Sequence, residues 1–219
     1  MVYLDERNNL KIEDIELVAK EIKNGKIAIF PTETVYGIGT NAFDNKACKK
    51  IYDIKNRPEN KALIVLISDI NMLNELVQNT NEIEKKLIKE FWPGALTIVF
   101  DKKEECKLSE VVTAGKTTIA VRMTDGEISK MIVQKAGVPV VAPSANLSGK
   151  PSGTQIENII NDLGSRVDYV LDCGDIDDDT TSTLVRVENN KIKILREGRI
   201  IKEQLQKIAE IVEIYCITF

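Results

Sequence analysis

The chain has 219 residues, of which 43% are hydrophobic and 29% charged, an ordinary balance for a globular protein that buries its own core. It contains no histidine, which excludes Ser–His–Asp triads, Cys–His pairs and histidine-ligated metals. Its 30 basic and 34 acidic residues give a net charge of −4, which excludes a basic footprint over the whole surface but allows a local basic cleft.

Helical and strand-like segments alternate along the chain. Apolar residues at helical spacing predict helices at 13–24, 71–77, 82–91, 128–136, 156–163 and 202–214, and one after the N-cap candidate Asp44. Short buried runs predict strands at 27–30, 62–67, 96–100, 117–123, 138–142 and 167–171, and a hairpin from 183–187 and 191–195. This order predicts one α/β domain, and the hairpin indicates that its sheet is mixed.

Cysteine spacing and the N-terminal sequence indicate the compartment. The cysteines do not form CxxC pairs, and they are Cys48, Cys106, Cys173 and Cys216. We expect free thiols in a reducing environment. The first residues lack the apolar core of a signal peptide, and the longest apolar run, 62–67, is too short to span a membrane. We therefore expect a cytoplasmic protein with no membrane segment.

Three segments resemble ligand-binding loops but depart from their requirements. Residues 37–42 have the glycine spacing of a dinucleotide loop, yet six residues separate them from the preceding strand. Residues 114–117 end like a P-loop but lead into a predicted strand, so we reject that motif. Residues 175–179 begin like a calcium loop without its later glycine and glutamate, which favours a solvated acidic loop. A dinucleotide loop at 37–42 and a Mg²⁺ contact from 175–179 stay as the weaker alternatives.

Other segments place hydroxyls, amides and cations at the ends of predicted elements. Threonines and glycines follow a buried strand at 31–37, and small polar residues fill 143–154 and 180–183. Between 49 and 61, five basic and two acidic residues give a local charge of +3. Three of these segments have a structural alternative: a turn capped by its own threonines at 31–37, a solvated helix end at 49–61, and Ser144 and Asn146 capping the next turn. Arg122 and Arg196 lie in strand patterns, where an anionic substrate or an internal salt bridge would serve each of them equally well.

Together these segments resemble the threonylcarbamoyl-AMP synthase family, the YrdC-like proteins. The matching segments occur in family order at 31–37, 55–58, 92–94, 121–123, 142–146 and 182–183. The resemblance implies an α/β domain with a twisted mixed β-sheet, flanked by helices around a basic cavity. It implies a catalytic domain over 1–200, with a C-terminal helix and tail at 201–219 packed on it.

The resemblance also implies a reaction. L-threonine, bicarbonate and ATP would give L-threonylcarbamoyladenylate and pyrophosphate, and tRNA-modifying partner proteins would use the product to modify the adenosine beside the anticodon. Mg²⁺ is expected to accompany ATP, without a protein metal site. An alternative is a non-catalytic RNA-binding module that uses the same basic concavity, although aromatic residues make up only 5% of the chain. A carbamoyl-adenylate-handling domain of a maturation factor is a third possibility, disfavoured because no companion acyl-phosphate or zinc-finger region accompanies it.

Site residues carry over from the family by motif. Lys55 and Arg57 are the implied catalytic residues. The implied threonine-binding residues are Thr34, Leu66, Arg122, Ala142 and Ser182. The implied ATP-binding residues are Lys55, Arg57, Lys61, Thr118, Ser144, Ser152 and Arg196.

Two features depart from many relatives. Leu66 occupies a position where many of them carry a histidine, so the polarity of the threonine pocket is open while the reaction class is unaffected. Activity should then show no histidine-like titration near pH 6.5, and an inflection there would require a shifted carboxylate or thiol. After Arg199 only a predicted helix and a short tail follow, so we expect the short form of the family.

Overall fold

Strands from both halves of the chain build one mixed sheet. The computed structural model describes residues 1–7 and 10–213, in which eleven strands form that sheet. They are β1 (Val2–Asp5), β2 (Ala28–Pro31), β3 (Tyr36–Asn41), β4 (Ile64–Ile67), β5 (Leu96–Asp101), β6 (Thr118–Met123), β7 (Val140–Val141), β8 (Tyr169–Asp172), β9 (Thr183–Glu188), β10 (Lys191–Arg196) and β11 (Ile211–Glu213). Their order in the sheet is β1-β8-β2-β3-β7-β4-β6-β5-β9-β10-β11. Parallel pairs such as β4 with β6 lie beside antiparallel pairs such as β4 with β7, so the predicted mixed α/β sheet is confirmed.

Helices cover the sheet over two apolar clusters. Within the described residues they are α1 (Ile12–Lys23), α2 (Asn45–Lys55), α3 (Ile70–Leu76), α4 (Glu82–Phe91), α5 (Glu110–Thr113), α6 (Glu127–Ala136), α7 (Ile156–Leu163) and α8 (Lys202–Gln206). Ile29 and Phe30 are neighbours in β2 but belong to different clusters, because successive strand residues point to opposite faces. The cluster that contains Phe30 also holds the buried stripes of α1 and α6. No helix in this part of the chain is long and apolar enough to cross a membrane.

The ends of α2 position the basic segment that follows it. Asp44 caps the helix as predicted, because its carboxylate accepts a hydrogen bond from the Ala47 amide at 3.0 Å. At the other end Asn56 adopts a left-handed conformation (φ 49°), which stops the helix. The amide of Arg57 then donates to the Tyr52 carbonyl at 2.9 Å. This turn holds Lys55 in the last helical turn and directs the chain toward the sheet.

The dinucleotide interpretation of residues 37–42 is wrong. Residues 36–41 form β3, which pairs antiparallel with both β2 and β7 and is buried except for Asn41. The glycines serve packing rather than phosphate binding. A Cβ atom on Gly39 would lie 2.6 Å from Cε1 of Phe30 and 2.9 Å from the Val141 carbonyl oxygen. Sequence analysis missed this strand because glycine is rare in strand interiors.

The predicted helix at 202–214 is also wrong beyond its first turns. Helix α8 ends at Gln206, and Ile211–Glu213 pairs in parallel with β10 as β11. Periodicity over a short apolar run does not separate a helix from a strand, and the open edge of β10 supplied backbone partners that favoured the strand. Residue 214 and Cys216 lie outside the described residues. Strand β1 and helix α5 were not predicted, whereas the rejected P-loop does lead into β6.

The cysteines among the described residues are free thiols. Cys48, Cys106 and Cys173 form no disulfide, as expected. Burial raises the pKa of Cys48 to about 12 and that of Cys173 to about 12. Neither thiol can therefore titrate near neutral pH.

We predict that Gly39→Ala destabilises the protein while Gly37→Ala does not. The added methyl group at Gly39 would overlap the Phe30 ring and a neighbouring carbonyl, and overpacking of this kind costs about 1–3 kcal/mol. At Gly37 the nearest atom to an added Cβ, that of Ala142, is 3.4 Å away, an ordinary contact. Urea unfolding of the two variants tests this, and equal stability losses would contradict the packing role of Gly39.

Candidate functional site

A tight turn between β2 and β3 presents Thr34 to the interior. Thr32 closes the turn: its hydroxyl donates to the Val35 carbonyl at 2.7 Å and accepts from the Thr34 amide at 3.2 Å. Thr34 is 1% exposed, and its hydroxyl oxygen accepts a hydrogen bond from Nη1 of Arg122 at 3.0 Å. The self-capping alternative thus describes Thr32, whereas Thr34 contacts an arginine from another strand. We call residues 32–35 the threonine loop.

Arg122 is a buried cation with incomplete pairing. Its Nε lies 3.4 Å from Oε1 of Glu33, and neither atom has a hydrogen-bond partner. The other Glu33 oxygen accepts from the Thr124 hydroxyl. Burial lowers the pKa of Arg122, while the Glu33 charge opposes that shift. The internal salt bridge, the structural alternative for Arg122, therefore exists, and it leaves hydrogen-bonding capacity on the guanidinium for a further anion.

The wall next to Arg122 is apolar. Leu66 in β4 is the register partner of Arg122 in the parallel β4–β6 pair, and it is fully buried. Ala142, which follows β7, belongs to the same apolar cluster as Leu66. The amide of Ala142 donates to the Ile64 carbonyl at 2.9 Å, so that amide already has a partner. Leu66 therefore brings no polar group to the neighbourhood of Arg122.

A second group of predicted residues surrounds a small cavity of about 120 Å³. Three cations line it, and none of its lining residues is acidic. The lining residues are Arg57, Ala62, Ile64, Val99, Lys116, Thr118, Ala120, Leu184 and Arg196. Arg57, Thr118 and Arg196 were predicted to bind ATP, and the fold brings them to one cavity. Cations without acidic neighbours create a positive potential that favours an anion.

The cations of this cavity influence one another. Arg196 is exposed as a whole residue, but protein surrounds its guanidinium. Burial, together with the charges of Arg122 and Arg57, lowers its pKa to about 10. Burial also lowers the pKa of Arg57. A bound polyanion would relieve this mutual repulsion.

Main-chain carbonyls orient Arg57. Its Nε donates to the Lys61 carbonyl at 3.1 Å, and its Nη2 donates to the Ala62 carbonyl at 2.8 Å. The Tyr52 hydroxyl donates to the same Lys61 carbonyl at 2.9 Å. The structure thus connects Lys61 to the site through its main chain.

Lys55 supports the loop after β7. It is 1% exposed, and its ammonium donates to the Ser144 carbonyl, to the Asn146 carbonyl at 2.6 Å and to Asn146 Oδ1 at 3.3 Å. The Ser144 hydroxyl donates to Asn146 Oδ1 at 2.6 Å. Burial and the nearby charge of Arg57 lower the pKa of Lys55 to about 7. Lys55 therefore holds the predicted residue Ser144 in place.

Ser182 connects the two predicted sites. It precedes β9 and is 2% exposed. Its hydroxyl lies 2.8 Å from that of Thr97 and accepts from Nη2 of Arg196 at 3.0 Å. The same guanidinium nitrogen donates to the Ser182 carbonyl at 2.7 Å. A residue predicted to bind threonine is thus in direct contact with one predicted to bind ATP.

Ser152 lies apart from these cations. It lines a larger cavity of about 400 Å³, which Asn146, Lys150 and residues of α7 also border. The next residue, Gly153, packs so closely on the Ala145 carbonyl that a Cβ would approach it to 2.3 Å. The loop that Lys55 supports leads to Ser152, and the Gly153 carbonyl accepts a hydrogen bond from the Tyr36 amide at 3.0 Å.

Sequence reasoning missed four residues of this region. Glu33 lies in the 31–37 segment and Lys116 in the rejected P-loop-like segment at 114–117, so sequence signals for both were present. Thr97 and Arg199 carried no such signal. Arg199 donates to the Glu33 carbonyl and, at 3.4 Å, to that of Thr34.

Comparison with known proteins identifies the family. The Sua5/YciO/YrdC family model, described as "Telomere recombination", matches residues 20–198. The chain belongs to this family. The threonylcarbamoyl-AMP synthases of Bacillus subtilis and Pyrococcus abyssi are 40% and 35% identical to it, each over 94% of this chain.

Solved structures of the Sua5/YciO/YrdC family share the fold. The crystal structure of P. abyssi Sua5 complexed with L-threonine matches with a TM-score of 0.90 at 35% identity, covering 97% of this chain and 63% of that one. This chain spans 60% of the length of the B. subtilis and P. abyssi synthases.

We predict that one lysine of the folded protein, Lys55, titrates near pH 7. Between about pH 7 and the ordinary lysine value of 10.5, the unfolded chain binds a proton that the folded protein does not. The free energy of unfolding should therefore rise with pH in this range, and Lys55→Met should remove that rise. ¹³C NMR of labelled lysine side chains measures the pKa directly. Titration of Lys55 near pH 10.5 would show that the three oxygens around its Nζ outweigh burial. The sequence analysis allowed only a shifted carboxylate or thiol to titrate near pH 6.5, and it did not consider the amine of a buried lysine such as Lys55.

Proposed function

We propose that this chain is the catalytic part of a threonylcarbamoyl-AMP synthase, forming L-threonylcarbamoyladenylate and pyrophosphate from L-threonine, bicarbonate and ATP. One observation carries the proposal. In this chain, which belongs to the Sua5/YciO/YrdC family, the buried Arg122–Thr34 contact lies next to a cavity lined by Arg57, Lys116 and Arg196. The first element suits an amino acid, and the second suits the phosphates of a nucleotide.

Threonine would bind at the threonine loop. The guanidinium of Arg122 would pair with its carboxylate, and the apolar surroundings of Leu66 and Ala142 would strengthen that pairing by excluding water. The hydroxyls of Thr34 and Ser182 would hold the polar groups of the substrate. The P. abyssi relative, solved with L-threonine, supports this choice of ligand.

ATP would bind at the cationic cavity. Arg57 and Arg196 would contact its phosphates, with Thr118 at the cavity wall and Lys61 nearby. Ser144 and Ser152 border the loop that Lys55 supports, and we propose that they hold the rest of the nucleotide. The direct Ser182–Arg196 hydrogen bond would keep the two substrates adjacent.

Positioning and electrostatics would supply most of the catalysis. The threonine amine and bicarbonate form a carbamate with loss of water. A carbamate oxygen then attacks the α-phosphorus of ATP, and the bond to the pyrophosphate oxygen breaks. Negative charge grows on the leaving pyrophosphate, where Arg57 and Arg196 would stabilise it. The threonine loop and the cationic cavity would hold the reactants in line, so the reaction would need no histidine base.

Mg²⁺ is proposed to enter with ATP. Among the described residues, no group of three or more acidic or cysteine side chains is arranged to hold a metal ion. The cavity cations would themselves repel a bare cation. The ATP phosphates and water would therefore supply most of the magnesium ligands.

Partner proteins would use the product for tRNA modification. The RNA-binding alternative has less support, because the residues lining the cavity include no aromatic side chain on which a base could stack. Steeply salt-dependent RNA binding without nucleotide turnover would favour that alternative.

We predict that pyrophosphate release from ATP requires both threonine and bicarbonate. Each is omitted in turn, and release is measured with a coupled phosphate assay. Because the carbamate is the nucleophile, either omission should abolish release. Release without threonine would overturn the substrate assignment, and no release with all three substrates would overturn the enzyme assignment for this chain.

We predict that Arg57→Ala lowers kcat/KM by about 30- to 1000-fold, equivalent to about 2–4 kcal/mol of lost transition-state stabilisation. Arg57 also holds the Lys61 and Ala62 carbonyls, so Tm is measured alongside turnover. Arg57→Lys keeps the charge and should retain more activity than Arg57→Ala. Lys85→Gln, which removes an exposed pair with Glu82, is the matched control. Unchanged turnover in Arg57→Ala would contradict a catalytic role.

A further inference from the structure

We propose that Arg199 is a positioning residue that fixes the threonine loop relative to Arg122 and Ser182. This inference rests on the proposed function, because the loop is assigned to threonine there. Arg199 lies just after β10, outside the segments that carried the family resemblance.

The main chain around Arg199 is held against the segment that contains Ser182. The Arg199 amide donates to the Thr181 carbonyl at 3.1 Å. The Thr183 hydroxyl donates to the Ile200 carbonyl at 2.8 Å. A Cβ on Gly198 would lie 2.3 Å from the Thr181 carbonyl oxygen, so only glycine permits this close approach. The backbone that carries Arg199 is therefore fixed on both sides.

The guanidinium of Arg199 bridges from this anchored segment to the threonine loop. Nη1 donates to the Glu33 carbonyl, and Nη2 donates to the Thr34 carbonyl at 3.4 Å. Nε lies 3.2 Å from Oδ2 of Asp178 in an ion pair. A planar fork with several donors suits this arrangement, and a lysine ammonium cannot reproduce it.

The contacts of Arg199 determine where Thr34 presents its hydroxyl. Arg122 holds the Thr34 side chain from β6, while Arg199 holds its main-chain carbonyl from the segment after β10. Glu33, the ion-pair partner of Arg122, is held through its carbonyl by the same guanidinium. Without Arg199 the main-chain carbonyls of Glu33 and Thr34 would lose these two hydrogen bonds, and the turn would depend on Thr32 and on the side-chain contacts of Glu33 and Thr34. A displacement of about 1 Å in a binding group can lower activity about a hundredfold.

Arg199 also adds positive charge beside the proposed carboxylate site. Its charge contributes to lowering the pKa of Arg122, so the two guanidinium groups share one electrostatic environment. Glu33, beside Arg122, and the half-exposed Asp178, beside Arg199, offset part of this positive charge. Loss of the Arg199 charge should therefore weaken binding of an anionic carboxylate, in addition to any loss of geometry.

Matched variants separate the effect of the Arg199 hydrogen-bond geometry from the effect of its charge. Arg199→Gln removes both, Arg199→Lys retains the charge, and Asp178→Asn removes only the outer ion pair, whose carboxylate is half exposed. Arg186→Gln is the control, since Arg186 pairs with Asp101 and Glu188 rather than with the threonine loop.

Steady-state kinetics and L-threonine titration calorimetry are the measurements. In Arg199→Gln we expect the KM and Kd for threonine to rise about tenfold or more, with the KM for ATP changed less than about threefold. Arg199→Lys should fall between this variant and the wild type, whereas Asp178→Asn and Arg186→Gln should stay within about twofold of it. An equal rise in both KM values, or an unchanged threonine affinity, would overturn the proposal.

Calorimetry distinguishes failure of this inference from failure of the proposed function. If the wild type binds L-threonine but releases no pyrophosphate, the synthase proposal fails and the Kd series still decides the role of Arg199. If the wild type turns over and Arg199→Gln binds threonine normally, only the Arg199 inference fails. A wild type that does not bind threonine would overturn both.

Discussion

The site depends on cations whose main partners are carbonyl and hydroxyl oxygens rather than carboxylates. Lys55 donates to carbonyls of the loop after β7, Arg57 to those of Lys61 and Ala62, and Arg196 to that of Ser182. Such partners orient Arg57 and Arg196 without neutralising them, so their positive charge stays available to a ligand. The cost is desolvation, which lowers the pKa of both Arg57 and Arg196, and repulsion by Arg122 and Arg57 lowers the pKa of Arg196 further. Loop geometry and local potential therefore arise from the same contacts, and neither can change without the other.

The order of the strands explains how distant segments supply one site. Neighbouring strands β7, β4, β6, β5, β9 and β10 each carry or adjoin a site residue. In that order the residues are Ala142, Leu66, Arg122, Thr97, Ser182 and Arg196. Hydrogen-bonded strands lie about 5 Å apart, so residues on neighbouring strands are close enough for their side chains to touch. Ser182 and Arg196 touch because their strands form the β9–β10 hairpin. The strand order thus brings the residues proposed for the two substrates to one region of the sheet.

Local signals predicted the elements but not the contacts between them. Helix α4 was predicted with its observed ends, and the Asp44 cap was predicted because capping is a property of a few adjacent residues. Strand β3 escaped because its glycines are explained only by Phe30 and Val141, which lie on other strands. The motifs carried Thr34 and Arg122, yet not their hydrogen bond. Arg199 and Thr97 stayed hidden because their importance lies wholly in partners far along the chain. Sequence therefore suggests which groups are present, and topology determines which of them meet.

The absence of histidine is compatible with the surroundings of Arg122. A histidine in place of Leu66 would set an imidazole beside the guanidinium, in register across the β4–β6 pair. Leucine instead makes that wall apolar, and an ion pair is stronger where water is excluded. Arg122 then depends on Thr34 and Glu33 for orientation, so the demand on the threonine loop increases. The apolar wall at Leu66 and the firmly held threonine loop thus act together on Arg122: the first excludes water, and the second orients the guanidinium. With fewer polar groups lining the pocket, the accuracy with which the remaining ones are positioned would decide how well the carboxylate of the proposed threonine substrate is bound.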